Sequence, residues 1–299
     1  MVAVAGASGY IGGLLSARLR HRGVGVRALV RNPSRGDDLA REGCDVRRAD
    51  VLKRDSLSPA LEGIDTAYYL VHSMGRGSDN DFVARDRAGA ENFAAAAAAA
   101  GVRRIVYLGG LGEGSEHLDS RHATARVLGS AGVPLTYFRA AAVIGAGSES
   151  FRTVLHLVRR LPAMIVPRWA STRTQPIAVD DVLAYLVAAA DLEAPLEREI
   201  QIGGPDVTTY GGIIDETARA MGRRPPLRIP VPVLTPWLSS LWIGLVTPVD
   251  AGVARPLIEG LATETVVTDP SGMSLFGVEP RPLPTALRAA MAETEGRVA

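Results

Sequence analysis

The chain opens on VAVAGASGYIGGLLSARLRHRG, an apolar run of strand length, glycines spaced GxxGxxG at Gly6, Gly9 and Gly12, and then an amphipathic helical pattern. A tight glycine turn joining a strand directly to a helix aims backbone N–H groups and the positive helix end at one point. That geometry receives a phosphate. Glycine is needed because a side chain would collide with the phosphate or forbid the turn. The other reading of the same residues is a close strand-to-helix packing turn without a ligand.

The alternation continues through VGVRALV, CDVRRAD, DTAYYLV, RRIVYLGG and PLTYF, with helical stretches between most of these strand candidates. Such alternation implies parallel βαβ crossovers, so the fold class is α/β, a doubly wound parallel (Rossmann) sheet covered on both faces. The run NFAAAAAAAGV reads as a helix that packs closely on the sheet and is capped by Gly101. After Arg139 glycine and proline become frequent and the regular alternation stops. We therefore expect a dinucleotide-binding domain over 1–138 and a smaller, interwoven lobe over 139–299 whose segments return in part to the sheet. PIAVDDVLAYLVAAA predicts a strand and a helix, REIQIGG a strand, and TYGGIIDETARAMGR a helix closed by Gly222.

Composition removes several classes. With 33 Lys and Arg against 32 Asp and Glu, no global field draws the chain to nucleic acid or to an anionic membrane. The one cysteine, Cys44, excludes intramolecular disulfides and multi-cysteine metal sites, and the five histidines lack the ligand spacing that would imply a metal. No signal peptide is recognisable at the N-terminus, which makes the cytoplasm the expected compartment. IPVPVLTPWLSSLWIGLVTPV carries no charge from Ile229 to Val249, but Pro230, Pro232 and Pro236 leave only Trp237 to Thr247 as clean helix. That is too short to span a bilayer, so a buried or lobe-to-lobe helix is expected, with peripheral membrane contact as the alternative.

The second strand bears on cofactor choice. NAD sites end it with Asp or Glu on the ribose 2′-OH, whereas here ALVRNPSR places Arg31 at that position and Arg35 close behind. A guanidinium pairs with a 2′-phosphate through two charged hydrogen bonds, so NADP(H) is favoured over NAD(H).

TAYYLVHSMG, RIVYLGGLG, HLDSRHATARVL, RAAAVIGAGSESF and VPRWASTRTQPIAVDDV carry a resemblance to the atypical short-chain dehydrogenase/reductases, in their NmrA-like NAD(P)H-binding branch. It implies a pyrophosphate loop of Gly6, Ser8, Gly9, Tyr10, Ile11 and Gly12, with Arg31 on the 2′-phosphate and Asp50 and Val51 beside the adenine. Val71 and His72 would run along the cofactor towards the nicotinamide, although a histidine at a strand end also serves as a scaffold residue. Typical members of the wider superfamily use Ser, Tyr and Lys, the lysine lowering the tyrosine pKa. Here Gly109 or Gly110 stands at the serine position, Lys53 is the only lysine, and no tyrosine is followed four residues later by Lys or Arg.

Aligned with the lysine helix, Arg121 takes the lysine position and His117 the tyrosine position, on one helix face. They are the candidate catalytic pair, with a solvated helix face as the alternative. The substrate side would draw on RAAAVIGAGS and PRWASTRTQP, with Arg139, Arg168 and Arg173 for a polar or acidic group, Trp169 as an aromatic wall, and Gly145 and Gly147 in a loop close to the ligand. These readings imply an NADP(H)-dependent oxidoreductase acting on a small carbonyl or enone-like molecule. A non-catalytic NADP(H) sensor and a membrane-associated scaffold are the alternatives.

Overall fold

The computed structural model describes residues 1–72, 79–166, 168–230 and 261–296. The first half runs β1 (Val2–Ala5), α1 (Tyr10–His21), β2 (Val26–Val30), α2 (Asp37–Arg41), β3 (Asp45–Arg48), α3 (Arg54–Leu61), β4 (Thr66–Tyr69), α4 (Asp79–Ala99), β5 (Arg104–Gly110), α5 (Glu116–Gly129) and β6 (Leu135–Ala140). The second half adds β7 (Val143–Ile144), α6 (Glu149–Arg160), β8 (Ala163–Val166), β9 (Arg173–Thr174), β10 (Ile177–Ala178), α7 (Val179–Asp191), β11 (Arg198–Ile202), β12 (Thr208–Thr209), α8 (Tyr210–Ala220), β13 (Leu227–Pro230) and α9 (Leu283–Gly296).

Side-chain alternation explains why the sheet is buried on both faces. Val2, Val4, Tyr68, Val106 and Phe138 point to one side, where α1 and α7 cover them. Ala3, Ala5, Tyr69, Tyr107 and Tyr137 point to the other, against α3, α4 and α5. The alanine run lies in α4: Ala94, Ala96 and Ala97 are buried, and Gly101 beyond the helix has φ +68°, a left-handed C-terminal cap.

The sheet has seven strands in the order β11-β6-β5-β4-β1-β2-β3, every pairing parallel. Strand order reverses between β1 and β4, which opens a crevice at their C-terminal ends. The expected boundary after residue 138 falls inside β6, and β11 returns beside that strand from the second half. The strand expected in PIAV is the two-residue β10, which pairs with β7 outside the main sheet. Around α6, α8 and α9 lie two smaller cores.

No described helix is long and apolar enough to cross a membrane. Most of the apolar stretch 229–249, including Trp237 to Thr247, lies outside the described residues.

Candidate active site

At the strand-order reversal the backbones of β1 and β4 close on one another. Gly6 has φ +85°, and a Cβ there would stand 2.6 Å from the Leu70 carbonyl oxygen, so only glycine allows the approach. A Cβ on Gly12 would stand 2.3 Å from the Gly6 oxygen, which lets α1 start against the strand end. The Gly9 amide donates to the same oxygen at 2.9 Å. The first turn of α1 has no side-chain cap and no acidic residue, so its N–H groups are left for an anion.

A cavity of about 610 Å³ extends from this helix end across the crevice. Gly6, Ser8 and Gly9 form its start, and Arg31, Asn32 and Arg35 rim one end with exposed side chains. Leu29, Ala49, Val51 and Leu57 make an apolar slot, and Leu70, Val71 and His72 continue towards β5. An anion cradle, a cationic rim and an apolar slot in this sequence fit the pyrophosphate, sugar phosphate and adenine of a dinucleotide.

Not every residue of the glycine loop lines that space. Ile11 packs into the core, and Gly12 acts through its closeness to Gly6. Tyr10 turns towards the second lobe: a Cβ on Gly145 would meet its hydroxyl at 2.5 Å, and one on Gly147 its ring at 2.3 Å. Those two glycines, expected to come close to a ligand, therefore accommodate Tyr10 instead. Asp50 Oδ1 accepts the Leu52 amide at 3.1 Å and holds the turn after β3, and its neighbour Val51 lines the cavity.

His72, His117 and Arg121 form one electrostatic group beyond the end of β4. Arg121 Nη1 donates to the Leu108 carbonyl at 3.2 Å, and the buried Tyr107 hydroxyl bonds to Arg121 and Thr124. Half-buried His117 has its pKa pushed down to about 3 by desolvation and then by Arg121. That of His72 is also lowered, by desolvation first and by Arg121 and His117 after it, although the residue is exposed.

The arginines expected on the substrate side are differently engaged. Arg139 is buried and donates to Glu199 at 2.6 Å and to the carbonyls of Gly112 at 2.8 Å and Gly110 at 3.3 Å. It braces the β5–α5 loop from beneath and offers no guanidinium to a ligand. His122 Nε2 lies 2.9 Å from the same Gly112 oxygen, and its Nδ1 lies 3.0 Å from the Tyr137 hydroxyl. Arg139 Nη2 lies 3.1 Å from the same Nε2, which joins His122 and Tyr137 to the brace. Arg173 pairs with Glu264 at 2.8 Å, Trp169 packs edge-on against Tyr210, and the Arg168 side chain lies outside the described residues.

Sequence reasoning missed the apolar slot of Leu29, Ala49 and Leu57, whose residues read as ordinary core positions. It also missed the His122–Tyr137–Arg139 brace, whose members come together only in the folded sheet.

Residues 6–143 match the family model described as NAD(P)H-binding. Cinnamoyl-CoA reductase 1 of Oryza sativa is 33% identical over 135 residues, which cover 43% of this chain and 39% of that protein. The chain thus matches well under half of the rice reductase. The (4-alkanoyl-5-oxo-2,5-dihydrofuran-3-yl)methyl phosphate reductase of Streptomyces griseus is 28% identical over 240 residues, 76% of each chain. Among solved structures, the NADPH-dependent quinone oxidoreductase QOR2 of Escherichia coli, complexed with NADPH, superposes with a TM-score of 0.78 at 20% identity, over 96% of this chain and 98% of its own. Residues 6–143 thus match the NAD(P)H-binding family model, and the whole length shares the Rossmann-like fold of the Escherichia coli structure.

Proposed function

We propose that the protein is an NADPH-dependent reductase of the NmrA-like branch, acting on a small carbonyl, enone or quinone-like acceptor. The observation that carries this reading is the continuity of one crevice, cationic at Arg31 and Arg35 and ending beside His72, with His117 and Arg121 next to it. Gly6, Ser8 and Gly9 would hold the pyrophosphate, Arg31 and Arg35 the 2′-phosphate, and Val51 the adenine. When bound, the nicotinamide supplies a hydride.

The remaining work belongs to the chain. Neutral His117 donates an N–H hydrogen bond to the acceptor oxygen, and the fixed charge of Arg121 stabilises negative charge building there. As the new C–H bond forms and the C=O π bond breaks, the oxygen takes its proton from water, because a histidine with so low a pKa holds no spare proton near neutrality. Reductase names among the relatives, and the NADPH in the Escherichia coli structure, support this reading.

The test is a fluorescence titration with NADPH and NADH, followed by cofactor oxidation against carbonyls and quinones. NADPH is expected to bind at least tenfold tighter, and Arg31→Ala with Arg35→Ala to remove most of that margin, as loss of charged hydrogen bonds of roughly 1.5–3 kcal/mol implies. Equal affinity for the two cofactors would sink the NADPH assignment. Turnover should fall at least tenfold in Arg121→Ala. Tight binding with no turnover on any acceptor would instead favour a cofactor-sensing regulator, which the missing Tyr and Lys suit.

A further inference from the structure

The turn after β3 carries one wall of the apolar slot. Within it, the Lys53 amide donates to the Asp50 carbonyl at 2.8 Å, the Asp50 amide to Ser56 Oγ at 3.0 Å, and Ser56 Oγ to the Lys53 carbonyl at 2.7 Å. The Ala49 amide ties the start of the turn to the Val30 carbonyl of β2 at 3.0 Å. These bonds shape the turn and fix its root, but none of them reaches Val51, whose side chain lines the slot.

Helix α4 meets Val51 at two points. Half-buried Asn92 donates from Nδ2 to the Val51 carbonyl at 3.0 Å, across 41 positions of sequence. One helical turn earlier, a Cβ on Gly89 would stand 2.9 Å from Val51 Cγ2 and 3.0 Å from the Tyr69 hydroxyl. Residues three apart share a helix face, so one face of α4 both holds the main chain of Val51 and leaves room for its side chain. The helix is a firm base for this: Ala90, Phe93 and Ala94 are buried in the core beneath it, and the Phe93 ring packs against Tyr69 with centroids 5.0 Å apart.

We infer that Asn92 is a positioning residue for the adenine of the cofactor, and that Gly89 is the recess that sets how far Val51 stands into the slot. The inference rests on the reading of that slot as the adenine site. Asn92 is not among the residues that line the crevice and acts through the Val51 carbonyl. An aromatic base held between apolar walls depends on close contact, and a gap of about 0.5–1 Å already forfeits a quarter to a half of the dispersion attraction. A turn released from α4 is free to open such a gap, whereas a methyl group at Gly89 drives Val51 the other way, into the space of the base.

The experiment titrates the full chain and its Asn92→Leu variant with NADPH and NADH, and with ADP and 2′,5′-ADP, which carry the adenosine end alone. Thermal melts of both proteins accompany the titrations. Loss of one neutral hydrogen bond should weaken binding roughly two- to twelvefold. The same factor is expected for the dinucleotide and for the fragment that the wild type prefers, because only the adenosine end is touched. Asn92→Asp sets a carboxylate against the Val51 carbonyl and should lose at least as much, which keeps the test open if the leucine variant does not fold. Gly89→Ala should weaken the same ligands. Unchanged affinities in variants that melt at lower temperature would make Asn92 a purely structural residue and overturn the inference. A larger loss for the dinucleotide than for the fragment would place the damage beyond the slot and overturn it too. A wild type that binds a dinucleotide but neither fragment removes the adenine reading and the inference with it, whereas fragment binding that survives undiminished in both Asn92 variants removes the inference alone.

Discussion

A methyl group added at Gly12 would lie 2.3 Å from the Gly6 oxygen, and relief would require moving either β1 or α1. Gly13, the next residue of the same helix, has room: its added Cβ would sit 3.4 Å from the Ala7 oxygen. Gly12→Ala is therefore expected to cost about 1–3 kcal/mol of stability and at least tenfold in NADPH affinity. Gly13→Ala should be neutral or stabilise by up to about 1 kcal/mol, because alanine loses less backbone entropy in a helix. Thermal melts and NADPH titrations of the two variants decide this, and similar behaviour of both would show that the close approach at Gly12 is unimportant. The GxxGxxG spacing revealed the loop without ranking its members. It could not show that Tyr10 leaves the loop for Gly145 and Gly147, since that contact joins residues far apart in sequence.

Helix α7 shows how an element can borrow its capping group. Its last turn has no basic residue, and the charge that suits a helix C-terminus comes from β5: Arg104, 2% exposed, donates to the carbonyls of Ala189 at 2.9 Å and Leu192 at 2.6 Å. Arg104→Met should cost about 2–4 kcal/mol through buried carbonyls left without a donor. Urea unfolding would measure it, and a loss below about 1 kcal/mol would mean that water replaces the guanidinium. The strands and helices of the first half were legible because apolar periodicity and glycine punctuation are local properties. Arg104, Arg139 and His122 were not, because an arginine in a strand reads as a surface residue until the sheet places it under a helix end or a loop. Arg139 and Arg173 were assigned to substrate by charge alone, and Glu199 and Glu264 claim them in the fold.

For the whole molecule, the depressed pKa of His117 makes stability depend on pH. Its folded value is about 3 against an ordinary 6.5, so between those values the unfolded chain takes a proton that the folded chain refuses. The folded state is thus at full strength above about pH 6.5 and loses on the order of 1 kcal/mol per pH unit below it. His117→Gln should flatten this dependence by close to one proton, read from urea midpoints between about pH 7 and pH 5. Equal slopes in variant and wild type would show that His117 titrates normally. The sheet itself is finished late: β6 ends at Ala140, but β11, which covers its open edge, spans Arg198–Ile202. While the chain emerges from the ribosome, the complete NAD(P)H-binding segment is therefore outside before its sheet can close, with a row of unpaired amides and carbonyls along β6. A stall in translation between residues 140 and 202 would leave a cofactor crevice already framed by its strands on a nascent chain prone to pair with its neighbours.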